Sequence, residues 1–265
     1  MADQPLLAVS DVYKQFGGIH ALSGVNLEVH PGRVFGLLGP NGSGKTTLFN
    51  IMTGFARPDR GTVVFNGERI DGLTADKVAR KGLCRTFQAS LNPHHMTVME
   101  NMLLAPQGQL GESIWRTFAM PRAIVGQDRE QEDRAWEILK LVKLDHQVDE
   151  KAGSLSGGQK KLLMLAQALM LRPKLVLLDE PVAGVNPRLI EDIVGIIREL
   201  QGQGQNFLII EHNMQVVRKL CDTIYVLDAG KVLASGPTIE TLQREEVLQA
   251  YLAGQAGRAD ETEDA

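Results

Sequence analysis

Apolar and polar positions alternate along this chain with two periods, one near 2 and one near 3.6. Leu6-Leu-Ala-Val-Ser10 and Leu22-Ser-Gly-Val-Asn-Leu-Glu-Val29 predict strands, with Gly17-Gly18 and Pro31-Gly32 as turns. Gly61-Thr-Val-Val-Phe65 predicts another, closed by the hairpin dipeptide Asn66-Gly67. These strands gather near the N-terminus and imply an antiparallel patch. Arg33-Val-Phe-Gly-Leu-Leu38 reads as a short buried strand, and Thr47 to Thr53 as a helix that Gly54 ends. From Thr97 to Leu144 the pattern is helical, with Val98, Met102 and Leu103, then Ala135, Ile138, Leu139 and Val142, on one face. Between them Gln107 to Gly126 is less regular and reads as an insertion, its Trp115 and Phe118 as local core. After Ser156 the order is helix Gln159–Leu171, strand Leu175–Leu178, helix Arg188–Gln201, strand Phe207–Ile210, helix Met214–Leu220, strand Thr223–Leu227. Such alternation predicts an α/β fold, a parallel sheet with helices on both faces.

Composition narrows the class without identifying the chemistry. The 265 residues suit one large domain, or a core with a subdomain. Hydrophobic residues make up 43% and charged residues 23%, the balance of a globular chain and not a disordered one. A net charge of −4 argues against nucleic acid as the main partner. Cys84 and Cys221 stand far apart, which suggests a reducing compartment and no disulfide framework. The first residues, Met1-Ala-Asp-Gln-Pro, lack the basic and apolar regions of a signal peptide. Leu162 to Leu171 is the longest apolar stretch; it contains Gln167, stops at Arg172-Pro173 and is too short to cross a bilayer. His94-His95 have no third ligand in view and predict no metal site.

The chemistry concentrates in short motifs. Gly39-Pro40-Asn41-Gly42-Ser43-Gly44-Lys45-Thr46, followed by Thr47, is a complete phosphate-binding loop between a predicted strand and a predicted helix. Its glycines let backbone N–H groups close around a triphosphate, and the helix N-terminus adds positive potential. Lys45, expected as an exposed loop lysine, can reach the β- and γ-phosphates, and the Thr46 hydroxyl can hold Mg²⁺. Leu175-Val-Leu-Leu-Asp179-Glu180 is a buried strand ending in two acids, where an α/β sheet binds its ligands. Asp179 there can bind Mg²⁺, and Glu180 can orient an attacking water. Leu155-Ser156-Gly157-Gly158-Gln159 opens a long helix; Ser156 is an N-cap candidate, and the glycines allow an anion close approach.

Gly39–Thr46, Leu155–Gln159, Leu178-Asp179-Glu180 and Glu211-His212, in that order, resemble the ATP-binding subunit of ABC transporters. The likeness spans residues 6–253 and implies the ABC ATPase fold, a phosphate-loop core with a mixed sheet and an inserted helical subdomain. It implies a core of 6–88 and 156–236, a helical subdomain of 89–155 and a C-terminal helix of 238–253. Residues 254–265 read as a disordered tail. The resemblance assigns Phe16 to adenine stacking, Gln88 to contact with Mg²⁺ and water, Glu180 to catalysis and His212 to the γ-phosphate. Metal contacts fall to Thr46, Gln88 and Asp179. Ala183-Gly-Val-Asn186 occupies the dimer-contact loop. Ala-Gly-Val-Asn-Pro, Phe16-Gly-Gly, Ala21-Leu22 and the ending Leu248-Gln-Ala-Tyr251-Leu252 resemble the branch that serves branched-chain amino acid importers. Urea and short-chain amide importers use sister subunits and are one alternative; the lipopolysaccharide-exporter ATPase, shorter where this chain has its long insertion after Gln88, is another. The rival from a different class is a non-transport ABC protein acting on ribosomes or DNA as a mechanical clamp, against which the single phosphate loop and the lack of a long coiled coil argue. The implied cofactors are ATP and Mg²⁺. The implied partners are a second ATP-binding subunit head to tail, two permease subunits and a solute-binding protein, with this subunit peripheral on the cytoplasmic face. The implied permease contact begins at Gln88 and follows Leu91, Met96 and Val98.

Overall fold

Five parallel strands and one antiparallel edge strand form the central sheet, seen in a computed structural model that describes residues 4–86, 93–105 and 121–251, side chains of 121–125 excepted. Its order is β10-β9-β3-β8-β7-β6, with β3 Val34–Leu38, β6 Leu83–Arg85, β7 Leu175–Asp179, β8 Asn206–Ile210, β9 Thr223–Asp228 and β10 Lys231–Pro237. Among the described strands of this sheet only β10 runs antiparallel, against β9. A second sheet, β2-β1-β4-β5, is antiparallel and holds β1 Leu7–Phe16, β2 Ile19–Val29, β4 Arg60–Phe65 and β5 Glu68–Arg69.

The continuous apolar runs of β3, β7 and β8 have a simple cause: both faces are covered. Side chains alternate between two cores. Val34, Leu38, Val176, Leu178, Phe207 and Ile209 face the larger cluster, packed by the helices. Phe35, Leu37, Leu175, Leu177, Leu208 and Ile210 face the smaller one, shared with the antiparallel sheet and α1, Lys45–Met52. Each such fully buried side chain contributes roughly 1.5–3 kcal/mol.

The helical side holds α3 Val98–Leu103, α4 Pro121–Leu141, α5 Gly157–Met170, α6 Pro187–Gly202 and α7 Met214–Leu220; α2, Ala75–Arg80, precedes β6. Thr97 starts α3 with a capping box to Glu100. Both α3 and α4 pack on α5, so the helical group continues past residue 155.

Several element boundaries differ from the sequence pattern. β1 runs on to Phe16, its pairing with β2 shifting register at bulges between Val9 and Val12, Val12 and Tyr13, and Lys14 and Gln15. Helix α4 begins at Pro121, inside the Gln107–Gly126 stretch that reads as irregular; Pro suits a first helical position, and the helix runs through Gly126. In place of one helix over 238–253, α8 covers Thr238–Leu242 and residues 245–251 form a second helical segment. Asn66 and Gly67 both have positive φ, 50° and 79°, as a hairpin turn with the sheet's twist requires. The Gln88 and Leu91 expectations, Trp115, Phe118 and the tail lie outside the described residues.

Candidate active site

Three neighbouring parallel strands, β3, β8 and β7, deliver their carboxyl ends to one edge of the sheet. The phosphate loop leaves β3. At Gly39 φ is +142°, and an added Cβ would lie 2.1 Å from the Leu227 carbonyl oxygen. At Gly44 φ is +102°, and a Cβ would meet the Ala21 carbonyl oxygen at 2.5 Å. Only glycine fits either position. Lys45, expected to be exposed, is instead buried at 7% exposure. Its Nζ donates to the carbonyl oxygens of Gly39 at 2.9 Å and Pro40 at 2.7 Å, and lies 3.4 Å from Ser43 Oγ. This self-contact is the cause of the burial: the loop curls over its own lysine. Burial pulls the ammonium below the usual lysine range, while the carboxylates of Glu180 and Asp179 pull it back up. Asn41, Gly42 and Thr46 are exposed at the loop's rim, and Thr47 is half-buried.

Strand β7 ends in Asp179, with Glu180 next, and β8 runs into Glu211-His212. Glu180 carries φ +49°, a left-handed conformation that costs a non-glycine residue on the order of 1–2 kcal/mol. Its N–H donates to the Ile210 carbonyl at 2.9 Å, and Lys161 Nζ donates to its carbonyl at 2.5 Å. His212 Nε2 is 3.1 Å from Glu180 Oε1, so the base candidate and the histidine already touch. Glu211 is buried and accepts N–H bonds from Val182, His212 and Asn213 at 3.1, 2.9 and 3.0 Å, which ties the β8 turn to the turn after Glu180. Gly39, Pro40, Asn41, Glu180 and His212 line one cleft of about 590 Å³.

Asp179 is paired: Arg85 Nη2 reaches its Oδ2 at 2.6 Å, while Arg85 Nη1 donates to Asn50 Oδ1 at 2.6 Å. The guanidinium lies over the Phe49 ring, 5.6 Å from its centroid. One arginine thus joins the end of β6 to α1 and to the end of β7. Sequence reasoning missed Arg85, Lys161 and the turn-building role of Glu211. No local signal marks the first two, because their partners are 94 and 19 residues away.

Other expected site residues stand apart from that cleft. Phe16 is exposed at the β1–β2 turn, with Lys14 Nζ 5.3 Å from its ring centroid, and so offers a flat face for stacking. Ser156 caps α5 reciprocally with Gln159: its Oγ accepts from the Gln159 N–H at 3.3 Å, and Gln159 Oε1 accepts from the Ser156 N–H at 2.8 Å. The two glycines between them differ. A Cβ on Gly157 meets nothing within 4 Å, whereas one on Gly158 meets Leu189 Cδ2 at 2.2 Å. Gly157 thus leaves an open surface beside Ser156, and Gly158 lets α5 pack against α6. Asn186 caps α6 by accepting from the Leu189 N–H at 3.0 Å.

A phosphate loop after β3, strand-end acids after β7 and a histidine after β8 on one sheet edge are the arrangement of a phosphate-loop nucleotide hydrolase. The sequence profile of the ABC transporter family matches residues 22–183, and the chain belongs to that family. It is 41% identical over 250 residues to a probable branched-chain amino acid transport ATP-binding protein LivG of Archaeoglobus fulgidus, covering 94% of this chain and 96% of the relative. It is 38% identical to the high-affinity branched-chain amino acid transport ATP-binding protein BraF of Pseudomonas aeruginosa, covering 94% and 98%. Among solved structures it is similar to a nucleotide-free ATP-binding cassette of an ABC transporter, with TM-score 0.81, 38% identity and coverage of 94% and 99%. A dimeric ATP-binding cassette bound to ADP and Pi in a post-hydrolysis state matches with TM-score 0.72, 25% identity and coverage of 88% and 98%.

Proposed function

We propose that this chain is the ATP-hydrolysing subunit of an ABC importer for branched-chain amino acids. The observation that carries the reading is the convergence of Lys45, Asp179, Glu180 and His212 on one sheet edge. The relatives' stated roles support the solute class. The loop amides and Lys45 bind the triphosphate, and Phe16 stacks on adenine. Glu180 takes the proton of an attacking water and orients it, and His212, 3.1 Å away, donates a hydrogen bond toward the γ-phosphate. Positioning and charge stabilisation supply most of the acceleration. Thr46, Asp179 and Gln88 are the Mg²⁺ ligands in this reading. A hydroxyl, a carboxylate and an amide oxygen form the hard donor set that Mg²⁺ takes, and Asp179 keeps Oδ1 free of the Arg85 bond. When bound, the ion neutralises charge that develops on the phosphates.

Two such subunits, identical or homologous, stack head to tail, so the Ser156–Gln159 turn of each meets the nucleotide of the other. The open surface at Gly157 suits that contact. Among the described residues no helix is long and apolar enough to cross a membrane, so force passes through a protein contact. A groove of about 550 Å³, lined by Phe55, Leu83, Arg85, Pro93, Leu104 and Met164, fits a permease segment. Within the expected docking stretch Val98 belongs to the core at 0% exposure. The complex includes two permeases and a solute-binding protein, with this subunit on the cytoplasmic face of the membrane. The test is uptake of labelled leucine into vesicles holding the permeases, the binding protein and this chain. ATP-dependent uptake lost on Glu180→Gln supports the reading. Uptake of urea or short amides but not leucine would reassign the solute.

A further inference from the structure

The ending Leu248-Gln-Ala-Tyr251 shares in the family resemblance yet has no part in the reaction derived above. Its structural setting is specific. Tyr251 Oη accepts the Gly39 N–H at 2.9 Å, a bond spanning 212 residues of sequence. Gly39 lies beyond the last registered pairs of β3 with β8 and β9, so its N–H is not part of the ladder. The Gly39 carbonyl in turn accepts from Lys45 Nζ. The tyrosine is held firmly. Leu242 and Val247 are buried in the larger core at 6% and 0% exposure, and Tyr251 packs against the same cluster. On its other side the segment walls the cleft: Leu242, Val247, Leu248 and Tyr251 line it together with Glu180, His212, Met214 and Arg218. Burial pushes the Tyr251 phenol up to about 12, so it is neutral in ordinary buffers and accepts through an oxygen lone pair.

We propose that Tyr251 is a positioning residue for the phosphate loop, and that residues 245–251 form a strap that holds Gly39, and through it Lys45, ready for nucleotide. The strap joins the loop after β3 to the helix that follows His212, on opposite walls of one cleft. A loop held in its binding conformation loses less entropy when it closes on a ligand. This inference rests on the nucleotide-binding reading of the cleft.

The test uses the full chain and Tyr251→Phe, which keeps the ring in the core and removes only the oxygen. Calorimetry with ATP gives the dissociation constant. Steady-state hydrolysis separates KM from kcat. Hydrogen–deuterium exchange reads the peptide containing Gly39 without nucleotide. The strap predicts a dissociation constant raised roughly 3- to 10-fold, the scale of one lost hydrogen bond, with the loss in KM rather than kcat. It also predicts faster exchange around Gly39. Unchanged affinity overturns the positioning role, whatever happens to thermal stability, and unchanged exchange overturns the strap itself. If wild-type protein bound no ATP, the function would fall, while exchange would still decide whether Tyr251 restrains the loop.

Discussion

Replacing Arg85 with Met tests whether a buried ion pair organises the catalytic edge. The side chains of Arg85 and Asp179 are 9% and 4% exposed and meet at 2.6 Å. Methionine preserves much of the volume over Phe49 but leaves the Asp179 carboxylate buried without its guanidinium, and Asn50 Oδ1 without its donor. Breaking a buried pair from one side costs roughly 3–5 kcal/mol. The ammoniums of Lys45 and Lys161 both interact with Asp179 and soften the loss toward the lower figure. At about 2–4 °C per kcal/mol for a chain of this size, Tm should fall on the order of 10 °C. Thermal unfolding followed by circular dichroism gives that shift. The double variant Arg85→Met with Asp179→Asn removes the stranded charge and should recover more than half of it. An Arg85→Met protein within about 1 kcal/mol of wild type would refute the reasoning, because solvent or the lysines would then already satisfy Asp179. A double variant no more stable than the single one would show that Arg85 acts through packing alone.

Two further outcomes follow from the Ser156–Gln159 turn. Gly158→Ala drives a methyl group toward Leu189 and should cost roughly 1–3 kcal/mol in thermal unfolding, whereas Gly157→Ala, facing open space, should leave Tm of the isolated subunit unchanged or raised; equal effects would remove the distinction between the two glycines. Ser156→Arg should keep ATP binding by the isolated subunit within about twofold while abolishing cooperative hydrolysis, measured by calorimetry and phosphate release; collapse of binding itself would make Ser156 a residue of its own subunit's site.

What the sequence made legible was whatever local pattern controls. The apolar runs Leu175–Leu178 and Phe207–Ile210 announce strands covered on both faces, and the phosphate loop announces itself by its glycines and Lys45. Ser156 reads as an N-cap, and it is one. Leu83–Arg85 was illegible because three residues show no period, and β10 because Gly236 and Pro237 weaken an edge strand's pattern. The partners of Arg85, Lys161 and Tyr251 meet them only when distant strands and helices pack together, so nothing near them in sequence marks their roles. Lys45 misled in the other direction. A loop lysine reads as exposed, but the loop's carbonyls enclose it.

The central claim is that Glu180 activates water for a nucleotide held by the Lys45 loop. Phosphate release from Mg·ATP by wild type and Glu180→Gln, with ATP affinity measured on the same samples, tests it most directly. The account predicts near-equal ATP affinity and a turnover at least about 100-fold lower for Glu180→Gln, as loss of a general base requires. Turnover at the wild-type rate with affinity intact would contradict it.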